Sequence, residues 1–165
     1  MLAKAFFGAL GREKSRVAQF SVQGNHVHML VEANDRAELG HMMQVMGIRI
    51  AKGLNVMMGR KRGAVFADRY HSRSLCTPTE TRHALLYVLQ NFKKHRLEAG
   101  DRRLSTLYID AEYSSALWFS GWREPVGPAP PGPALVAIPR TWLLDRGWHE
   151  RGGGLLSRAE VPRHS

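Results

Sequence analysis

Apolar and polar positions set the first half of this chain into two alternating periods. Residues 16–23, Arg-Val-Ala-Gln-Phe-Ser-Val-Gln, have β-type composition with partial alternation. Gly24-Asn25 follows, a pair suited to a tight primed turn. Residues 26–33, His-Val-His-Met-Leu-Val-Glu-Ala, alternate back, so the pattern predicts a β-hairpin over 16–33. The period then lengthens from two to 3.6. Asp35-Arg-Ala-Glu38 is a capping-box start. Leu39, Met42, Met43, Met46, Ile50 and Leu54 recur behind it at helical spacing, predicting a helix that ends near Gly59. At this spacing the methionines read as core rather than as a flexible binding groove. A basic loop, Arg60-Lys61-Arg62-Gly63, comes next. A third strand is expected within 65–76, with Ser72 to Cys76 as its best part. Thr77 as cap, Pro78 at the first helical position and Glu80 closing the box predict a helix running to about Leu97 and stopped by Gly100. A short helix is expected over residues 2–14.

After residue 100 the character changes. Residues 125–133, Pro-Val-Gly-Pro-Ala-Pro-Pro-Gly-Pro, hold five prolines in nine positions and read as an extended linker. Arg140-Thr-Trp-Leu-Leu and Gly147-Trp148 suggest a small helical appendage, and Gly152-Gly-Gly154 a further break. The organisation expected is therefore a domain over 1–100 and a Pro/Gly-rich extension over 101–165. At 165 residues, 44% apolar and 23% charged, the chain can bury a core, which excludes wholesale disorder. No apolar run approaches the roughly 20 residues that span a bilayer, so no membrane partner is expected. One cysteine, Cys76, excludes a disulfide scaffold and is expected as a buried strand residue. The stretch Met1 to Phe7 is too short and too lightly charged for a signal peptide, so a cytoplasmic location is expected.

Charge changes the picture more. The formal charge is +10, and residues 41–103 hold thirteen Lys/Arg against four Asp/Glu, nearly the whole excess. A concentrated basic field attracts polyanions, and phosphate contacts dominate nucleic-acid affinity. Arg60, Lys61 and Arg62, with Lys93, Lys94 and Arg96, are the residues expected to hold DNA phosphates.

The candidate chemistry lies beside this field. His26 and His28 sit two apart in a strand, so both rings take one face while Val27, Met29 and Val31 take the other. Such a pair can converge on one metal ion, given a third ligand from elsewhere. In the helix expected over 78–97, Leu85, Val88, Leu89 and Phe92 form the apolar stripe. Tyr87 lies roughly 150° and Asn91 roughly 110° from its centre, on the same side and one turn apart. His83 shares that polar face and His95 lies near its edge; a solvated surface accounts for both. A divalent cation neutralises phosphate charge and fixes the line of attack, which is what a phenol needs to attack phosphorus. Two imidazoles and an amide oxygen as ligands, with Tyr87 alongside, therefore suggest phosphoryl transfer through a phosphotyrosine.

Gly24-Asn-His-Val-His-Met-Leu-Val-Glu32, Phe66-Ala-Asp-Arg-Tyr-His-Ser-Arg-Ser74 and Leu86-Tyr-Val-Leu-Gln-Asn-Phe-Lys-Lys-His95 together resemble the single-tyrosine HUH transposases. The likeness is to the REP-associated tyrosine transposases and their insertion-sequence-200-like relatives, over roughly residues 16–100. His26-Val27-His28 matches the family's His–hydrophobe–His motif. Tyr87 matches its nucleophile, and Asn91 its third metal ligand, four residues on. The resemblance implies an α+β, ferredoxin-like fold and Mg²⁺ or Mn²⁺ as cofactor. It also implies single-stranded or hairpin DNA as substrate, cleaved and rejoined through a 5′-phosphotyrosine. Members differ in whether a homodimer shares the site. Members begin with a β-strand, whereas this chain begins at a helix. Loss of that central strand is expected to leave unpaired sheet backbone, with marginal stability or self-association as the consequence.

Other readings fit less well. Histidine-triad hydrolases need a third histidine where Leu30 stands. Two-histidine phosphoesterases need a His-x-Thr/Ser motif twice, which neither His26 nor His28 supplies. Tyr70 is a rival nucleophile, but Ser74, not a ligand-type residue, stands four positions on. A transposase-derived DNA-binding protein without catalysis shares all these motifs and remains the alternative.

Overall fold

The computed structural model of the chain describes residues 13–100 and 106–162. The helix expected over 2–14 lies outside them but for its last two positions, which form a turn. The fold is α+β. Strand β1 (Ser15–Gln23) and strand β2 (His26–Ala33) form a two-stranded antiparallel sheet. Helix α1 (Arg36–Met57) and helix α2 (Pro78–Glu98) follow. Gly24 turns the hairpin with φ +53° while Asn25 keeps a negative φ, the pattern of a primed turn with glycine first.

The partial alternation of β1 has a structural cause. Val17 pairs with Val31 and Gln19 with Leu30, leaving Ala18 as an inserted, unpaired residue. This bulge resets the face count. Val17, Phe20 and Val22 therefore share one face with Val27, Met29 and Val31. That face packs on Met42 and Met46 of α1. The opposite face carries Leu30, His28 and His26 toward α2, whose Leu85, Val88 and Leu89 are buried there. The sheet thus lies between the two helices.

Both helix starts form as their residues dictate. Asp35 accepts from the Glu38 amide at 2.8 Å. The Thr77 hydroxyl accepts from the Glu80 amide, and the Glu80 carboxylate accepts from the Cys76 and Thr77 amides. Those backbone bonds, the largest influence on Glu80, lower its pKa.

The strand expected within 65–76 does not form; these residues are irregular and mostly exposed. His71-Ser-Arg-Ser74 offers no apolar face to bury, and only Leu75 reaches the core. Cys76, expected to be buried, is exposed. The free edge of β1 is instead taken by later chain. The Val22 amide donates to Tyr113 O at 2.7 Å, Ser115 N donates to Phe20 O, and Ala137 N donates to Val17 O. The Phe20 amide also donates to the Ser115 hydroxyl, which itself donates to Gln19 Oε1. The outer edge of β1 is therefore covered over these positions.

Residues on both sides of position 100 share the larger core. Ala18, Leu30, Leu85 and Leu89 pack with Ile109, Phe119, Trp122, Leu144, Trp148 and Leu156. Short helical turns at Ala116–Trp118 and Leu143–Gly147, the latter running into α3 (Trp148–Glu150), bring these side chains inward. Glu32 on β2 ties the segment down: its carboxylate accepts from the Arg140 and Thr141 amides and the Thr141 hydroxyl, beside the Arg16 guanidinium. Gly152 passes so close to the backbone of Pro78 and Trp148 that a Cβ has no room. The proline-rich stretch has no regular structure. Among the described residues, no helix is long and apolar enough to cross a membrane.

Candidate functional site

β2 brings His26 and His28 onto the α2-facing side of the sheet, as alternation requires. Their rings stack nearly parallel, with centroids 6.0 Å apart and 5° between planes. The Tyr87 ring meets the His28 ring edge-on at 5.1 Å. One turn further along α2, Asn91 is fully buried. Its Nδ2 lies 3.1 Å from Nε2 of His95, which pins the amide when that nitrogen is the acceptor. Asn91 Oδ1 is buried and has no hydrogen-bond partner. His28 thus meets Tyr87 where β2 faces α2, with His26 stacked on His28 and the Asn91–His95 pair one turn further along the helix. Burial, then the neighbouring His26 and His95, hold the pKa of His28 below the ordinary histidine value. His28 is therefore neutral at pH 7, the form that can donate a lone pair to a metal.

These residues fit a divalent cation on an observation of their own. A buried amide oxygen without a partner destabilises the fold by about 1–3 kcal/mol unless something fills its lone pairs. Among the described residues no three His, Cys, Asp or Glu side chains converge as a metal cluster. The donor set here depends on the amide as its third member.

The polar face expected on α2 is not solvated as a whole. The segment 154–160 covers part of it. Gln90 donates to Ser157 O. Arg82 donates to Gly154 O and pairs with Glu160 at 2.9 Å. Lys93 corrects the expectation of a phosphate-binding side chain: its ammonium is turned inward, donating to Thr106 O and Arg158 O. Burial and the nearby Arg158 lower its pKa to about 8. Lys93 therefore does not join the basic surface. Arg60, Lys61, Arg62 and Arg96 are exposed and Lys94 is half-buried. His83 is exposed, and so is Tyr70, on the irregular 65–76 segment.

A groove of about 660 Å³ opens beside the histidine pair, between the hairpin turn, the end of α2 and residues 108–113. His95 and Arg96 stand on one side, Tyr108 and Tyr113 on the other. No sequence motif points to this second wall. It comes from a segment with neither helical nor strand periodicity, and only its two exposed tyrosines mark it.

No protein-family model, no curated protein and no solved structure matches this chain.

Proposed function

We propose that this protein cleaves and rejoins single-stranded or hairpin DNA through a tyrosine nucleophile in an HUH-type, ferredoxin-like site. The observation that carries the reading is the contact of Tyr87 with His28, one helical turn from a buried, unpartnered Asn91 oxygen. His26, His28 and Asn91 would hold Mg²⁺ or Mn²⁺. When bound, the cation supplies charge neutralisation at the phosphate and a fixed line of attack. The chain's own residues do the rest. Tyr87 Oη forms a bond to phosphorus as the bond to the 3′ oxygen breaks; the phenol proton passes to water and the leaving 3′ oxygen takes a proton from water. The products are a 5′-phosphotyrosine and a free 3′ hydroxyl. Attack by a 3′ hydroxyl on that phosphotyrosine reverses the exchange without ATP. Arg60, Lys61, Arg62 and Arg96 hold the strand by its phosphates.

The test is incubation with labelled hairpin and single-stranded DNA at millimolar Mg²⁺ or Mn²⁺, followed by a denaturing gel and mass spectrometry. The expected outcome is a metal-dependent adduct whose phosphate maps to Tyr87, absent in Tyr87→Phe while DNA binding persists. An adduct formed by Tyr87→Phe moves the chemistry to Tyr70 or elsewhere. DNA binding with no adduct from the parent favours the non-catalytic DNA-binding reading.

A further inference from the structure

The groove beside the histidine pair has two unlike walls. On the α2 side stand His95 and the cationic Arg96. On the other side stand Tyr108, Tyr113 and the carboxylates of Asp110 and Glu112, the Oδ1 of Asp110 being taken by the Glu112 and Tyr113 amides. In a chain carrying +10, a carboxylate beside a polyanion site needs a reason. It repels phosphate, so a strand entering here is oriented with its phosphate toward Arg96 and its base toward the tyrosines.

The tyrosine wall is built rather than incidental. The Tyr108 ring packs edge-on against Phe92 at 5.6 Å, yet Tyr108 stays 45% exposed. Tyr113 is 49% exposed although its backbone is fixed at both ends. Its amide donates to Asp110 Oδ1 at 2.9 Å, and its carbonyl accepts from Val22. The Glu112 carboxylate lies beside the Tyr113 phenol, raising its pKa, and keeps lone pairs free for a further donor. Two anchored, open aromatic faces in a space of about 660 Å³ match the size and lining of a site for one small planar ligand. Aromatic faces stack on any base, whereas a carboxylate accepts readily from an exocyclic amino group and is repelled by the two carbonyl oxygens that flank the N3–H of thymine.

We propose that this groove is a subsite for one unstacked nucleobase bearing an exocyclic amino group, stacked on Tyr108 and Tyr113 and read by Glu112. The substrate class rests on the DNA-cleaving reading above; the geometry of the subsite does not depend on Tyr87. Thymine, which has no amino group, is the base it discriminates against. Because the wall is formed by residues 108–113, the preference belongs to the part of the chain outside the HUH-like motifs.

The experiment is fluorescence anisotropy with a labelled single strand and a labelled hairpin with a single-stranded flank, in EDTA, so that no cleavage occurs. One abasic site, and separately one thymine, is moved along each probe. The expected result is one position at which loss of the base weakens binding on the order of tenfold. At that position thymine should bind severalfold more weakly than cytosine or adenine. Tyr113→Ala should erase the abasic effect. Glu112→Gln, which keeps the shape and adds an amide donor for thymine, should erase the discrimination while keeping the stacking. A scan that is flat along both probes overturns the subsite, even if the Tyr87 adduct forms. A peak that survives both Tyr113→Ala and Glu112→Gln overturns it as well. An abasic peak erased by Tyr113→Ala, with the thymine penalty erased by Glu112→Gln, in a protein that forms no adduct, upholds the subsite and rejects the cleavage chemistry alone.

Discussion

Asn91 concentrates the question of what the site is for. A fully buried amide whose oxygen has no protein partner destabilises the folded protein unless a ligand or a water fills its lone pairs. Asn91→Leu removes the unpartnered oxygen while keeping the γ-branched shape of the side chain. The metal-free variant is expected to melt at or above the parent temperature, since the oxygen it removes is unsatisfied and the amide's partner His95 is exposed. Mn²⁺ or Mg²⁺ at millimolar concentration should raise the melting temperature of the parent by mass action and leave that of Asn91→Leu unmoved. An equal metal-dependent rise in both proteins would remove Asn91 from the ligand set. The His26-x-His28 spacing and the Tyr87–Asn91 spacing are legible in the sequence because strand and helix periods alone place those side chains. The burial of Asn91 is not. At about 110° from the apolar stripe it reads as a surface residue, yet it is fully buried in the fold, its amide beside His95.

The elements divide in the same way. The hairpin, both long helices and their caps follow from signals within a few residues of one another: Gly24-Asn25, Asp35 with Glu38, Thr77 with Glu80. The bulge at Ala18 shows only as imperfect alternation, and the Arg- and Ser-rich stretch before Cys76 reads as a strand where none forms. The α2 stripe of Arg82, Gln90 and Lys93 is the least legible part. Lys93 reads there as a phosphate contact, yet it bonds to Thr106 O and Arg158 O, while Arg82 and Gln90 bond to carbonyls of segment 154–160. Lys93 gives that docking a pH signature. Its pKa is lowered from 10.5 to about 8, chiefly by burial. Between those values the unfolded chain holds a proton that the folded chain has released, so stability rises with pH across that window. Comparing chemical-denaturation curves at successive pH values, the parent should gain stability from about pH 8 upward relative to Lys93→Met. Parallel pH profiles for the two proteins would show that Lys93 is not desolvated at this joint.

Over the whole molecule, charge and packing make separate demands on the chain. The excess of Lys and Arg between residues 41 and 103 feeds an exposed basic loop, and there the expectation concerns salt. Replacing Arg60, Lys61 and Arg62 with glutamine should weaken binding to single-stranded DNA of any sequence. The slope of log affinity against log salt should flatten by roughly 0.7 for each phosphate that the variant no longer neutralises. Lys93→Met should leave that slope unchanged, because its ammonium faces the protein interior. Packing sets the larger demand. A two-stranded sheet is marginal alone, and this one is completed by chain from beyond residue 100. Ending the chain at Gly100 strips Tyr113, Ser115 and Ala137 from the edge of β1, and with them the bonds they make to Val22, Phe20 and Val17. It also removes Phe119, Trp122, Trp148 and Leu156 from the core around Leu85 and Leu89. Trp122 alone is 7% exposed with its indole N–H on Ala116 O, and Trp122→Ala should cost about 3–5 kcal/mol. The 1–100 fragment is therefore expected to show no cooperative thermal transition by circular dichroism, and to associate through the bared strand edge in sedimentation. The full chain, with that edge covered, should melt in one transition. A monomeric 1–100 fragment with a cooperative melt would mean that the core divides at residue 100. The histidine strand and the tyrosine helix would then be held together without the segment that supplies the groove's second wall.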